Sequence, residues 1–273
     1  MRNKKFYIYI LIPLLSIFLW SFFIEPSLLT ENIQSKSQWP YKKIKIAFFS
    51  DLHAGSPHVD EKYILNLITK INSHSVDIIL IGGDLLINGV VGGNYMEISK
   101  VAKYLRQLNA PLGKYVVLGN HDWWNDNDAI RSQLQQIGFI VLENESHLID
   151  LGNNQKINLV GIGDRFTNHS DPVKAFSQVD DTYPSLVFMH DPASIFEIKH
   201  KFFVSFAGHT HGGQVFIPGI GAIITPTDAP KSWAKGWTEF ELGSLYVSQG
   251  IGTSILPVRF NAPPEFLILS LKD

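Results

Sequence analysis

At 273 residues with a formal charge of −2 at pH 7, the chain has room for one catalytic domain plus a short extra segment, not two full domains. That charge gives no global field for a polyanion, and no basic stripe is interleaved with aromatics, so nucleic acid is not an expected partner. Cysteine is absent, which excludes disulfides, thiolate zinc sites and lipid-modified cysteine.

The first element along the chain is an uncharged run at 6–24, interrupted by Pro13, Ser16 and Ser21. As a helix it would rise about 28 Å, close to the roughly 30 Å of a bilayer's hydrocarbon core. It exceeds the usual signal-peptide core, and no Ala-x-Ala pattern follows Glu25-Pro26. The expectation is an uncleaved, single-pass transmembrane helix within 1–25, with a cleaved signal as the alternative. Arg2, Lys4 and Lys5 ahead of it favour a membrane location with the catalytic domain on the extracytoplasmic side; Lys36, Lys42 and Lys43 on the far flank oppose that bias. Polar residues over 26–42 read as a linker, leaving 43–273 for the catalytic domain.

Five short apolar runs follow, at 45–49, 76–81, 114–118, 185–189 and 202–207. Their Val, Ile and Phe content and the residues that bound them predict buried strands. Stretches 61–72 and 95–109 carry apolar residues at three- and four-residue steps and predict helices between the first three strands. Strand and helix in alternation imply an α/β sheet with helices layered over it. Ligands of such sheets collect beyond the carboxyl ends of the strands.

Each run ends in side chains that bind metal: Asp51-Leu52-His53, Gly83-Asp84, Gly119-Asn120-His121-Asp122, His190, and Gly208-His209-Thr210-His211. One by one they have ordinary readings: a turn aspartate, a loop histidine, a helix cap at Asp122. As a set at five strand ends they predict one site. Carboxylates, neutral imidazoles and an amide oxygen suit two divalent cations (Mn, Fe or Zn) about 3.5–4 Å apart. Water between two such ions loses a proton near neutral pH, giving a bridging hydroxide. His58, His74, His147, His169 and His200 fall outside these segments and receive no role.

These residues resemble the signature of the calcineurin-like metallophosphoesterases, which runs D-x-H, G-D, G-N-H-[DE], H, G-H-x-H. The resemblance covers roughly residue 43 to the C-terminus. It implies two facing mixed β-sheets flanked by helices. It further implies one metal on Asp51, His53, Asp84 and His211, and a second on Asp84, Asn120, His190 and His209, with Asp84 bridging. His121 would stabilise or protonate the leaving oxygen, and Asp122 would orient its ring.

Protein phosphatases of this superfamily continue the second motif as G-D-x-x-D-R-G and end the third in Glu. Here Gly83-Asp84-Leu85-Leu86-Ile87-Asn88-Gly89 lacks the Asp-Arg, and the third motif ends in Asp122. The C-terminal stretches 243–250, 256–260 and 263–265 look instead like the bacterial membrane-anchored phosphodiesterase branch. Some of that branch hydrolyse UDP-2,3-diacylglucosamine in lipid A synthesis, which implies a lipid-linked or nucleotide-sugar substrate. Arg259 is a candidate for the substrate phosphate because a guanidinium donates two parallel hydrogen bonds; a surface or salt-bridged arginine is the competing role. Trp233 and Trp237 are open between a substrate cleft and packing. A membrane-tethered binding protein that keeps the fold without catalysis is the alternative to a hydrolase.

Overall fold

The apolar runs pair into two six-stranded sheets, described over residues 2–273 in the computed structural model. The first has the order β1 (Thr30–Lys36), β14 (Glu265–Leu271), β2 (Ile44–Phe49), β3 (Ile78–Ile81), β4 (Lys114–Val116) and β5 (Phe139–Val141). β2 to β5 run parallel, and β14 is antiparallel to β2. The second has the order β12 (Gly236–Phe240), β13 (Gly243–Val247), β9 (Val204–Ala207), β8 (Ser185–Phe188), β7 (Gln155–Gly161) and β6 (Glu145–Gly152). Its inner four strands are parallel and both edges antiparallel. A small hairpin, β10 (Phe216–Ile217) with β11 (Gly221–Ala222), stands apart from both.

β3, β8 and β9 are buried at every position, because strands covered on both faces carry near-continuous apolar sequence rather than alternation. Between the sheets, Phe48 and Leu80 meet Phe188 and Phe206, and the Phe48 and Phe206 rings lie 5.2 Å apart. The outer face of the first sheet is covered by α2 (Glu61–Ser73), α3 (Ile98–Leu105) and α5 (Asn127–Gln136). α2 buries Ile64, Leu67, Ile68 and Ile71, one helical stripe, each side chain contributing about 1.5–3 kcal/mol. Asp60 starts that helix by accepting from Tyr63 N at 2.8 Å. On the second sheet's outer face, α6 (Pro172–Phe176) sets Ala175 and Phe176 against Val187 and Ala207. The layers are helix, sheet, sheet, helix, and the two mixed sheets face each other as expected.

The N-terminal expectations are corrected. No helix among the described residues is long and apolar enough to cross a membrane. α1 spans Arg2–Leu19 and so includes Arg2, Lys4 and Lys5. Its uncharged part, 6–19, rises only about 21 Å, against the roughly 30 Å required. The rest of the apolar run leaves the α-helix in a π turn at Trp20–Ile24 and a 3₁₀ turn at Glu25–Ser27. Those turns dock on the protein itself: Ser21 O accepts from Arg259 N at 2.9 Å, and Glu25 Oε1 accepts from Ala262 N at 2.7 Å. A single-pass anchor, and the membrane location inferred from it, is therefore not supported. Within 26–42, read as a linker, lies β1, paired in register with β14, and Trp39 beyond it is fully buried.

Candidate metal centre

Loops leaving β2, β3, β4, β8 and β9 meet at one edge of the sandwich and bring their Asp, Asn and His residues together. The backbone there is unusual. Asp51, His53, Asp84, His209 and His211 all have left-handed φ values between 43° and 68°, a conformation costing non-glycine residues on the order of 1–3 kcal/mol each. Main-chain hydrogen bonds between the loops hold it: Asp51 N to Gly83 O at 2.9 Å, His53 N to Asp84 O at 3.0 Å, and Gly252 N to Asp51 O at 2.7 Å. Gly119 and Gly208 permit the close approach. A Cβ on Gly119 would strike Asp84 Oδ1 and come within 2.7 Å of the His190 ring; one on Gly208 would strike Ser50 and lie 2.6 Å from Asp51 Oδ2.

Three imidazoles spend one ring nitrogen on a main-chain carbonyl. His190 Nδ1 donates to Gly82 O at 2.7 Å, His209 Nε2 to Pro226 O at 2.5 Å and His211 Nδ1 to Gly252 O at 3.3 Å. A carbonyl only accepts, so these nitrogens carry the hydrogens. The opposite nitrogens converge on other lone pairs. His190 Nε2 is 3.1 Å from His209 Nδ1, 3.2 Å from Asn120 Oδ1 and 3.3 Å from Asp84 Oδ2. His211 Nε2 is 3.1 Å from His53 Nε2 and 3.5 Å from Asp51 Oδ1. His53 Nε2 is in turn 3.5 Å from Asp84 Oδ2. One carboxylate oxygen therefore belongs to both groups. Lone pairs so crowded repel unless cations lie among them, and nitrogen, carboxylate and amide donors without thiolate fit Mn, Fe or Zn.

Charge in the cation-free chain fits the same picture. Burial pushes the His53 imidazole well below its usual range and lowers His211 to about 4, so both rings are neutral near pH 7. Burial also works against the Asp84 carboxylate, but opposing effects led by the charge and hydrogen bond of His190 outweigh it and hold Asp84 well below the ordinary carboxylate range. Burial likewise opposes charge on His190, and Asp84 more than offsets it.

His121 and Asp122 separate. His121 lines the cleft above the cluster, its ring 4.7 Å from that of His53. No hydrogen bond joins the Asp122 carboxylate to the His121 ring, although the expected orienting role requires one. Fully buried, the carboxylate accepts from Asp84 N at 2.8 Å, Leu85 N at 2.9 Å and Gly119 N at 3.0 Å. It therefore pins two ligand loops together through backbone. Burial, then the charge of Asp84, push its pKa up to about 7 against the pull of those N–H groups. The atom facing His121 Nδ1 is instead Asn88 Oδ1, at 3.1 Å. Nothing in the sequence marks Asn88 as that partner, since it stands in a glycine-rich loop outside the metal-binding segments.

Arg259 is likewise not at the cleft. Its side chain is fully buried. Nη1 donates to Gln249 O at 2.9 Å and Ala262 O at 2.6 Å, and Nη2 to Gly250 O at 3.2 Å and to Gly252 O. Both terminal nitrogens are spent on carbonyls of the loop that carries His211's acceptor, so the guanidinium has no terminal nitrogen left for substrate phosphate. Trp233 and Trp237 pack elsewhere, on Phe240 and Tyr246.

A cleft of about 600 Å³ opens over the cluster, with Asp84, Asn120, His209 and His211 at its floor. Its walls are apolar. On one side His209, Phe166, Trp124 and His121 form a chain of ring contacts 4.9–6.0 Å apart. Opposite stand Ile224 and Ile255, each 72% exposed. These wall residues carry no spacing signal in the sequence; only folding brings segments around 124, 166, 224 and 255 together.

The family model described as Calcineurin-like phosphoesterase matches residues 44–213. A Bacillus subtilis (strain 168) protein named uncharacterized metallophosphoesterase YkuE is 32% identical over 261 residues, 92% of this chain and 88% of that one. A second from the same organism, YkoQ, is 30% identical over 245 residues, 86% and 87% of the two chains. A Chlamydia muridarum protein named UDP-2,3-diacylglucosamine pyrophosphatase LpxG is 26% identical over 314 residues, 92% of each chain.

Proposed function

Because the chain belongs to the calcineurin-like phosphoesterase family, whose members are metal-dependent hydrolases with two divalent cations, we propose that its seven clustered side chains bind such a pair to hydrolyse a phosphodiester or pyrophosphate. Asp51, His53, Asp84 and His211 would hold one cation; Asp84, Asn120, His190 and His209 would hold the other. The observation that carries this is the convergence of buried donors: His190, His209 and His211 are each tied by one nitrogen to a carbonyl, and Asp84 Oδ2 lies 3.3 Å from His190 Nε2 and 3.5 Å from His53 Nε2.

The bound cations supply Lewis acidity to the phosphoryl oxygens and acidify the attacking water. The chain's own residues do the rest. Asp84 is fixed by His121 N, which donates to its Oδ1 at 2.8 Å, so Oδ2 would be the oxygen free for metal. As water oxygen bonds to phosphorus and the bond to the leaving oxygen breaks, the water's proton is released to solvent, and His121, having first taken a proton from solvent on Nε2, gives that proton to the leaving oxygen. The apolar cleft walls support a substrate carrying an apolar group beside its phosphate, and the name of the Chlamydia relative supports an acylated nucleotide sugar of the UDP-2,3-diacylglucosamine kind.

The test is hydrolysis of bis-p-nitrophenyl phosphate and UDP-2,3-diacylglucosamine with Mn²⁺, Zn²⁺ or Fe²⁺, by wild type and Asp84→Ala. Metal-dependent turnover abolished by the substitution is expected. No turnover of either compound by metal-loaded wild type would reject the reading.

A further inference from the structure

The orientation of His121 can be traced to a main-chain atom. Asn125 closes α4 (Asn120–Trp124), and its amide lies 2.8 Å from His121 O. A main-chain carbonyl only accepts, so the Asn125 atom there is the nitrogen. That same nitrogen is 2.9 Å from the Asn88 side chain, which must then present its oxygen. The same oxygen lies 3.1 Å from His121 Nδ1. An amide oxygen cannot donate, so Nδ1 carries a hydrogen, and Nε2 is left without a protein partner in a ring that lines the cleft. The chain from carbonyl to amide nitrogen, amide oxygen and ring nitrogen admits one arrangement.

We propose that Asn88 and Asn125 are positioning residues that keep hydrogen on Nδ1 and set the aim of His121, so that Nε2, once protonated from solvent, meets the leaving oxygen. The position that carries the carboxylate in the G-D-x-x-D-R-G pattern is here the buried Ile87, and a neutral amide one residue later supplies the acceptor. Asn88 lies on the loop from β3 and Asn125 at the end of α4, so the pair also ties the two loops that frame His121. The proposal rests on the hydrolase reading for its consequence, but the tautomer itself does not.

Two measurements test it. In Zn²⁺-loaded protein labelled with ¹⁵N-histidine, long-range ¹H–¹⁵N correlations report the tautomer of His121, assigned by the peaks lost in His121→Gln. Wild type is expected to show hydrogen on Nδ1, and Asn88→Ala to lose that preference. In turnover, Asn88→Ala is expected to lower kcat about 100-fold for a diester with an alkyl leaving group. For p-nitrophenolate, which departs without a proton, the drop should be no more than about fivefold. Metal stoichiometry should stay the same, and Asn88→Asp, which also accepts, should restore most of the loss. Asn125→Ala is the second variant, with the same leaving-group dependence at smaller size, should Asn88→Ala not fold. A wild-type ring with hydrogen on Nε2 and none on Nδ1, or an equal loss with both leaving groups, overturns the proposal. If wild type hydrolyses neither diester, the hydrolase reading fails while the tautomer still decides this one.

Discussion

Glu143 is buried with one carboxyl oxygen accepting from Leu118 N at 2.8 Å and the other without a partner. Burial pushes its pKa up to about 8, against the pull of that N–H. Between the unfolded value near 4.5 and about 8, the folded chain keeps a proton that the unfolded chain has released. Stability from this group is therefore full at low pH and falls as pH rises through that window. Glu143→Gln imitates the protonated form, so it should flatten the slope and raise stability at pH 8 by up to about 4 kcal/mol. Melting temperatures of both forms from pH 5 to pH 9 check this; parallel curves would contradict it. Arg259 works in the opposite sense, as a charge whose partners are all carbonyls. Arg259→Ala removes the shared donor of four carbonyls in the 249–262 segment, and should cost on the order of 3 kcal/mol or more. Denaturant midpoints with saturating metal are the measurement, and a loss under about 0.5 kcal/mol would show that water replaces the guanidinium without penalty.

At the scale of elements, the ligand-bearing strands are legible in the sequence for a physical reason. Strands buried on both faces, such as β3 and β9, are short apolar runs, and the residues just past them are of chemically distinctive types. What fails to announce itself is anything held by backbone or by distant partners. β1 reads Thr-Glu-Asn-Ile-Gln-Ser-Lys, with intermediate and exposed positions alternating. It is a polar edge strand whose place is fixed by the ladder to β14, so composition alone suggests a linker. Asn88, and not Asp122, faces the His121 ring, and the sequence does not show this because hydrogen-bond partners across loops leave no trace in spacing. The N-terminal run misleads most, because a tally of apolar residues does not register that Ser21 and Glu25 are buried against the 259–262 segment. Glu25 accepts from Ala262 N at 2.7 Å and from Trp20 Nε1 at 2.6 Å. Glu25→Ala should strand that buried Ala262 N–H, cost about 1–3 kcal/mol and loosen the turns at Trp20–Ser27. Limited proteolysis at Phe22-Phe23 should then proceed faster than in wild type; identical cleavage rates would mean that the turns are held by packing alone.

For the molecule as a whole, the cleft divides the labour between sandwich and loops. The sheet edge supplies a rigid polar floor, and loops far apart in sequence supply apolar walls that the floor's chemistry does not require. A small phosphoester would need only the floor. Exposed Ile224 and Ile255 beside a charged cluster are costly to leave in water unless something apolar covers them during the working cycle. Under the proposed function, an acyl or alkyl group of the substrate would be that cover. Burying one such chain against the two isoleucines and the Trp124–Phe166 wall contributes about 0.8 kcal/mol per methylene, enough to separate acylated from unacylated substrates by orders of magnitude. Ile224→Asp with Ile255→Asp should therefore lower kcat/KM for an acylated nucleotide sugar relative to bis-p-nitrophenyl phosphate by at least about tenfold, because each carboxylate would be desolvated by the chain that covers it. The comparison is a ratio within one enzyme preparation, so a partial loss of folded protein cancels. A ratio unchanged from wild type would place the apolar group elsewhere and leave the walls without a role in selection.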